Sequence, residues 1–152
     1  MSYRNSGGRS DSKRYYAWLD RAQSDLHSAR ILMAYDGDWR NAAFHCQQAI
    51  EKALKGYLLF TTGRHFDGHN LTYLCRQAAR QDEGFTEYMD ESAALNRFYI
   101  ETRYPTDVPT PFNPVRLKQV YTMAEDMFTS ISRKIFEEGN PISEVDTVGA
   151  AE

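Results

Sequence analysis

The sequence predicts an all-α fold, a five-helix up-and-down bundle, from three observations. Apolar residues recur at helical spacing in five separate stretches, and no stretch alternates apolar with polar residues as a half-buried strand does. Glycine, proline and small polar residues punctuate the intervals between those stretches. At 152 residues the chain has the size of one domain, large enough to bury a core without disulfides or metals.

The first helix is expected from about Ser12 to Asp36, with Asp11 or Ser12 as its cap and Gly37-Asp38 as its stop. Its stripe is Tyr15, Trp18, Leu19, Ala22, Leu26, Ala29 and Met33. The second opens after Asp38 and runs to about Phe60, where Thr61-Thr62-Gly63 breaks it. Cys46, Ala49, Ile50, Ala53, Leu54, Tyr57 and Leu58 form one apolar side of that helix. So short a connection forces the two helices into an antiparallel hairpin. A third helix, about Asn70 to Arg80, turns Leu71, Leu74, Cys75 and Ala78 inward. A fourth, about Thr86 to Glu101, has a less regular stripe of Tyr88, Ser92, Leu95, Phe98 and Tyr99. Pro105, Pro109, Pro111 and Pro114 then bar regular structure, because proline lacks the backbone donor and biases its predecessor away from helix. Asn113-Pro114 supplies a cap and first position for the last helix, which reaches about Glu137 on Leu117, Val120, Tyr121, Ala124, Phe128, Ile131 and Ile135.

Composition narrows the function classes. The net charge of −3 combines a basic start (Arg4, Arg9, Lys13 and Arg14 against Asp11) with an acidic end (Glu137, Glu138, Glu144, Asp146 and Glu152). The middle is nearly neutral, which does not announce a nucleic-acid binder through bulk charge. The expected organisation is a basic disordered leader over 1–11, a helical domain over 12–137 and a mobile acidic tail over 138–152. Cys46 and Cys75 sit at apolar helix positions with no CxxC pair or metal spacing, which fits a reducing cytoplasm. No apolar run has the length of a signal or membrane span, so a cytoplasmic protein without membrane association is expected. Aromatic residues beyond the needs of one small core, Trp39 beside a tight turn among them, predict a symmetric homodimer.

Four features carry candidate chemistry. The second helix sets Gln48, Glu51, Lys52 and Lys55 opposite its apolar side, and the expected role of these residues is a solvated face with a Glu51–Lys55 pair. Asp25 falls inside the first helix's apolar stripe, where a carboxylate is costly unless paired. Arg103 and His69 are the partners expected for it. The loop Arg64-His65-Phe66-Asp67-Gly68-His69 offers two histidines for proton transfer, but no closed set of metal ligands. Finally, a fourth helix ending in Arg103-Tyr104-Pro105 projects a guanidinium suited to a phosphate or carboxylate. Phe98, Tyr99 and Tyr104 beside it are spaced equally for stacking on bases and for core packing.

Taken in order, these pieces resemble a HEPN domain (higher eukaryotes and prokaryotes nucleotide-binding) across roughly residues 15–136. The resemblance rests on Trp18, Ala22, Asp25 and Leu26; on Phe44, Gln47, Gln48, Ala49, Glu51, Lys52, Leu54 and Lys55; on Gly63 and His69-Asn70-Leu71; and on Tyr99 with Arg103-Tyr104-Pro105. It implies a helical bundle, frequent homodimerisation and association with nucleotides or RNA. It also implies a minimal nucleotidyltransferase as partner in a toxin-antitoxin-like module. On this reading Arg103, Tyr104, His69, Asp25, Lys52 and Lys55 are the nucleotide- or RNA-binding residues, Arg103 is the catalytic candidate, and no cofactor or metal is called for. Active members of the family are metal-independent ribonucleases that carry an arginine followed four to six residues later by histidine near the end of the helix before the last. Here no histidine follows Arg103, and the Arg64 to His69 match lies in the wrong loop. The reading is therefore a binding protein, with an atypical Arg103 ribonuclease and a nucleotide sensor as alternatives.

Overall fold

The computed structural model describes residues 14–103 and 114–139. Among them are five α-helices and no strand: α1 (Tyr15–Ile31), α2 (Trp39–Thr62), α3 (Leu71–Gln81), α4 (Met89–Arg103) and α5 (Pro114–Gly139). The five-helix bundle expected from the sequence is the fold. The expected leader, Tyr104, the prolines before Pro114 and the expected tail from residue 140 onward lie outside the described residues, while α5 takes in the tail's first two positions.

The ends of the helices refine the expected boundaries. α1 begins at Tyr15 with Arg14, not Asp11 or Ser12, at its cap position, and the Arg14 side chain makes no capping hydrogen bond. Its last turn, Leu32–Asp36, widens to a π-helix that Gly37 closes at φ 62°. Asp38 then caps α2 by accepting from the Asn41 N–H at 3.3 Å and the Asn41 side chain at 2.7 Å. α2 continues two residues beyond Phe60, because Thr61 and Thr62 turn their hydroxyls back onto carbonyls of Tyr57 and Leu58 instead of breaking the helix. Asn70 caps α3, and the Asn96 side chain of α4 accepts from the Leu71 N–H at 3.0 Å, which pins the start of α3 to α4. The segment expected to open the fourth helix is a 3-10 turn, Glu83–Tyr88, and the α-helix starts only at Met89. Asp82 holds that turn: it accepts from the Gly84 N–H and from Lys134 of α5 at 2.8 Å.

α2 is the central helix and packs on all four others. Every member of its expected apolar stripe is fully buried. So are Ala42, Ala43 and Leu59, because neighbours wrap α2 on more than one side. Phe85 of the 3-10 turn plugs the core against Tyr57, ring centres 4.6 Å apart. Cys46 and Cys75 are buried free thiols, and burial pushes Cys46 up to about 12, leaving it an inert hydrophobe.

Candidate functional site

The polar residues of α2 do not form a solvated face. Gln47 is fully buried and Glu51 is 4% exposed, while Asp25 on α1 is 8% exposed. Two buried carboxylates of this kind must be neutralised locally, and the fold does so twice along one seam.

At the first centre, Lys52 donates to Asp25 Oδ2 at 2.6 Å and His45 Nδ1 lies 2.8 Å from Asp25 Oδ1. Of the two partners that the sequence suggested, His69 lies against Glu51 instead, and the Arg103 side chain falls outside the described residues. Among the described side chains, Lys52 and His45 are the partners of Asp25. The reason is hairpin register: Asp25 lies about as far before the Gly37-Asp38 turn as Lys52 lies after it, so antiparallel packing brings them level. Burial acts to raise the Asp25 pKa, but the hydrogen bonds and charges of His45 and Lys52 outweigh it and hold the carboxyl below its ordinary value. An ionised Asp25 only accepts, so His45 Nδ1 carries the proton of that bond. His45 is a site residue the sequence reading passed over. The signal for it was its spacing of seven from Lys52, two turns along one helix face.

At the second centre, Glu51 accepts from Lys55 at 3.1 Å through one oxygen, and His69 Nδ1 lies 2.9 Å from the other. Gln47 completes it, donating to the His69 carbonyl at 3.2 Å and to Glu51 at 3.4 Å while accepting from Gln48 at 2.8 Å. The loop after α2 is thereby fastened over the α2 face, which is why residues that read as solvent-facing are buried. Lys55 Nζ also sits 5.8 Å from the centre of the Trp18 ring, linking this centre back to α1.

Four of the expected site residues, Asp25, Lys52, Lys55 and His69, thus come together on one seam. Arg103 is the last residue of α4, where the sequence placed a helix end, while Tyr104 lies outside the described residues. Among the described residues no group of three or more His, Cys, Asp or Glu side chains is arranged to hold a metal ion. All four histidines precede residue 70, so neither α4 nor α5 contains one. The arginine-to-histidine spacing recurs at Arg21–His27, Arg40–His45 and Arg64–His69, which removes its diagnostic weight here.

The acid behaviour of the first centre follows from its sign. A carboxyl depressed in the folded state contributes stability that is whole above its unfolded pKa of roughly 4 and is lost as pH falls through the folded value. Urea midpoints of the wild type are therefore expected to fall with acid below roughly pH 4 more steeply than those of Asp25→Asn. Equal slopes would show that Asp25 is not selectively stabilised as an anion.

A helical bundle whose first two helices each carry one buried carboxylate, Asp25 on α1 and Glu51 on α2, each held by a lysine and a histidine, defines a particular class of small all-α domain. The HEPN domain model matches residues 15–134, and the chain belongs to that family. It is similar to the crystal structure of TT1696 from Thermus thermophilus, with a TM-score of 0.72 and 26% identity over 80% of this chain and 98% of that one. It is also similar in fold to ST0689, described as an archaeal HEPN homologue, with a TM-score of 0.65 and 22% identity over the same shares of the two chains. No curated protein matches it. No helix among the described residues is long and apolar enough to cross a membrane.

Proposed function

We propose that this chain is a nucleotide- or RNA-binding HEPN protein, a homodimeric partner of a minimal nucleotidyltransferase in a toxin-antitoxin-like module, and that it binds through the seam. The observation that carries the reading is the pairing of each buried carboxylate with one lysine and one histidine. Burying Asp25 and Glu51 fixes the cations around them, so that Lys52, His45 and His69 present ammonium and imidazole groups at the rim, with the less exposed Lys55 beneath them, without an ordering cost on binding. A phosphate meets donors already in place. The absence of histidine from α4 and α5 favours binding over hydrolysis.

Calorimetry with ATP and with a single-stranded RNA tests it. Saturable heat at or below millimolar ligand is expected, and Lys52→Ala/Lys55→Ala should weaken it at least about tenfold, a loss of roughly 1.4 kcal/mol. Silence toward both ligands rejects the seam as their site. α4 ends at Arg103, at the edge of the proline-rich connection, and this favours one second reading, an atypical ribonuclease. RNA cleavage by purified protein that disappears in Arg103→Ala would replace the binding reading with that one.

A further inference from the structure

A hollow of about 530 Å³ opens between the end of α1, the start of α2 and the first half of α5, and it shares no residue with the seam. Its volume is that of small-molecule sites, which run from about 300 to 1,000 Å³. Trp39 of α2 and Tyr121 of α5 contribute aromatic rings to it, and Met33 contributes an apolar side chain. All three are partly buried against the core, so they hold their places before anything binds. Met33 belongs to the turn Leu32–Asp36, where the helix widens to a π-helix, and widened turns of this kind frequently mark functional sites.

The charge of the hollow is opposite to that of the chain. Arg30 and Lys118 line it and, among the described residues, no carboxylate does, although the net charge is −3. Arg30 donates to His27 Nδ1 at 3.1 Å, and neither cation is paired with a carboxylate among the described residues. Glu125, one turn beyond Tyr121 on α5, lines an adjoining hollow instead and accepts from the Tyr121 hydroxyl at 3.0 Å. The Thr122 hydroxyl, the other one in the lining, donates to the Lys118 carbonyl at 2.9 Å. With both hydroxyl protons spent, the donors a ligand meets are chiefly the two cations. The polar edge of a nucleobase would find few partners here, and burying it unpaired is costly. A hydrocarbon ring carries no such cost, and an anionic group on it suits the guanidinium and the ammonium.

We infer that this hollow binds a small aromatic acid, with one or two fused hydrocarbon rings against Trp39, Tyr121 and Met33 and its carboxylate held by Arg30 and Lys118. The site is independent of binding at the seam. Calorimetry of the full chain with naphthoate should show saturable heat at or below millimolar ligand. Naphthalenemethanol, which keeps the rings and lacks the charge, should bind at least about tenfold more weakly. The double variant Arg30→Glu/Lys118→Glu should lose at least about tenfold in naphthoate affinity. Both side chains are exposed, so the fold tolerates the reversals, and unaltered helical circular dichroism checks it. Lys52→Ala/Lys55→Ala should bind naphthoate as the wild type does, and ATP should not displace it. A wild type without saturable naphthoate heat overturns the site, as does a neutral analogue that binds equally well or a double variant that binds like wild type. Loss of naphthoate binding in the seam variant would place the anion at the seam, and displacement by ATP would make the hollow a nucleotide site; either result overturns the assignment. Silence toward ATP and RNA alone bears on the seam and leaves this site standing.

Discussion

Replacing Glu51 by alanine is expected to cost about 3–5 kcal/mol, the range found when one partner of a buried ion pair is removed. The carboxylate accepts from Lys55, His69 and Gln47, and its loss strands an ammonium with little exposure and a fully buried amide. Against a typical stability of about 5–15 kcal/mol the change is severe, a fall in Tm on the order of 10 °C. The loop carrying His69 should loosen first, because Glu51 and Gln47 are what fasten it to α2. Amide exchange across residues 63–70 would record that loosening. Replacing both Glu51 and Lys55 by methionine separates stability from function. An apolar pair of similar volume should restore most of the stability, because a buried ion pair recovers little beyond its own desolvation cost. It should not restore nucleotide or RNA binding, which uses the charges. A double variant that melts like wild type and also binds like wild type would leave the seam a packing device only.

The same residues show which parts of the structure were legible in the sequence. Helical periodicity identified α2's buried stripe residue by residue, because apolar burial is local in its pattern: each buried position follows from its neighbours three and four away. Glu51 and Gln47 follow a different rule. Their burial depends on the loop after α2 folding back, and nothing within α2 encodes where His69 will lie. Asp25 was visible as an anomaly, but its partners were not, because pairing is set by the register of a hairpin whose turn is only two residues long. Counting outward from Gly37-Asp38 would have brought the search to within one turn of Lys52. The 3-10 turn before α4 was missed for a related reason. Glu83–Tyr88 lies close to helical spacing, and what fixes its tighter winding is Asp82 at its start and Lys134 reaching in from α5.

A leucine at position 56 is expected to be nearly as damaging as the loss of Glu51, through packing alone. Gly56 lies on α2 where α1 packs tightly against it: a Cβ there would sit 3.0 Å from Trp18 Cβ and 3.3 Å from the Tyr15 carbonyl oxygen. Neither neighbour is the free end of a flexible side chain, so any substituent must push the helices apart. For alanine two terms oppose each other. It gains about 1 kcal/mol of helix propensity over glycine, and the crowding removes a comparable amount, so its melting point should stay within a few degrees of wild type. Leucine cannot be accommodated by a shift of a few tenths of an ångström, and overpacking of this kind costs about 3 kcal/mol. Separation of α1 from α2 at this turn also draws Trp18 away from Lys55 and strains the Lys52–Asp25 contact one turn along α2. Gly56→Leu should therefore melt about 10 °C lower, with red-shifted tryptophan emission and weakened binding of nucleotide or RNA. A Gly56→Leu protein that melts with the wild type would show that α1 and α2 do not touch there, and the seam would then need a different register to bring Lys52 onto Asp25.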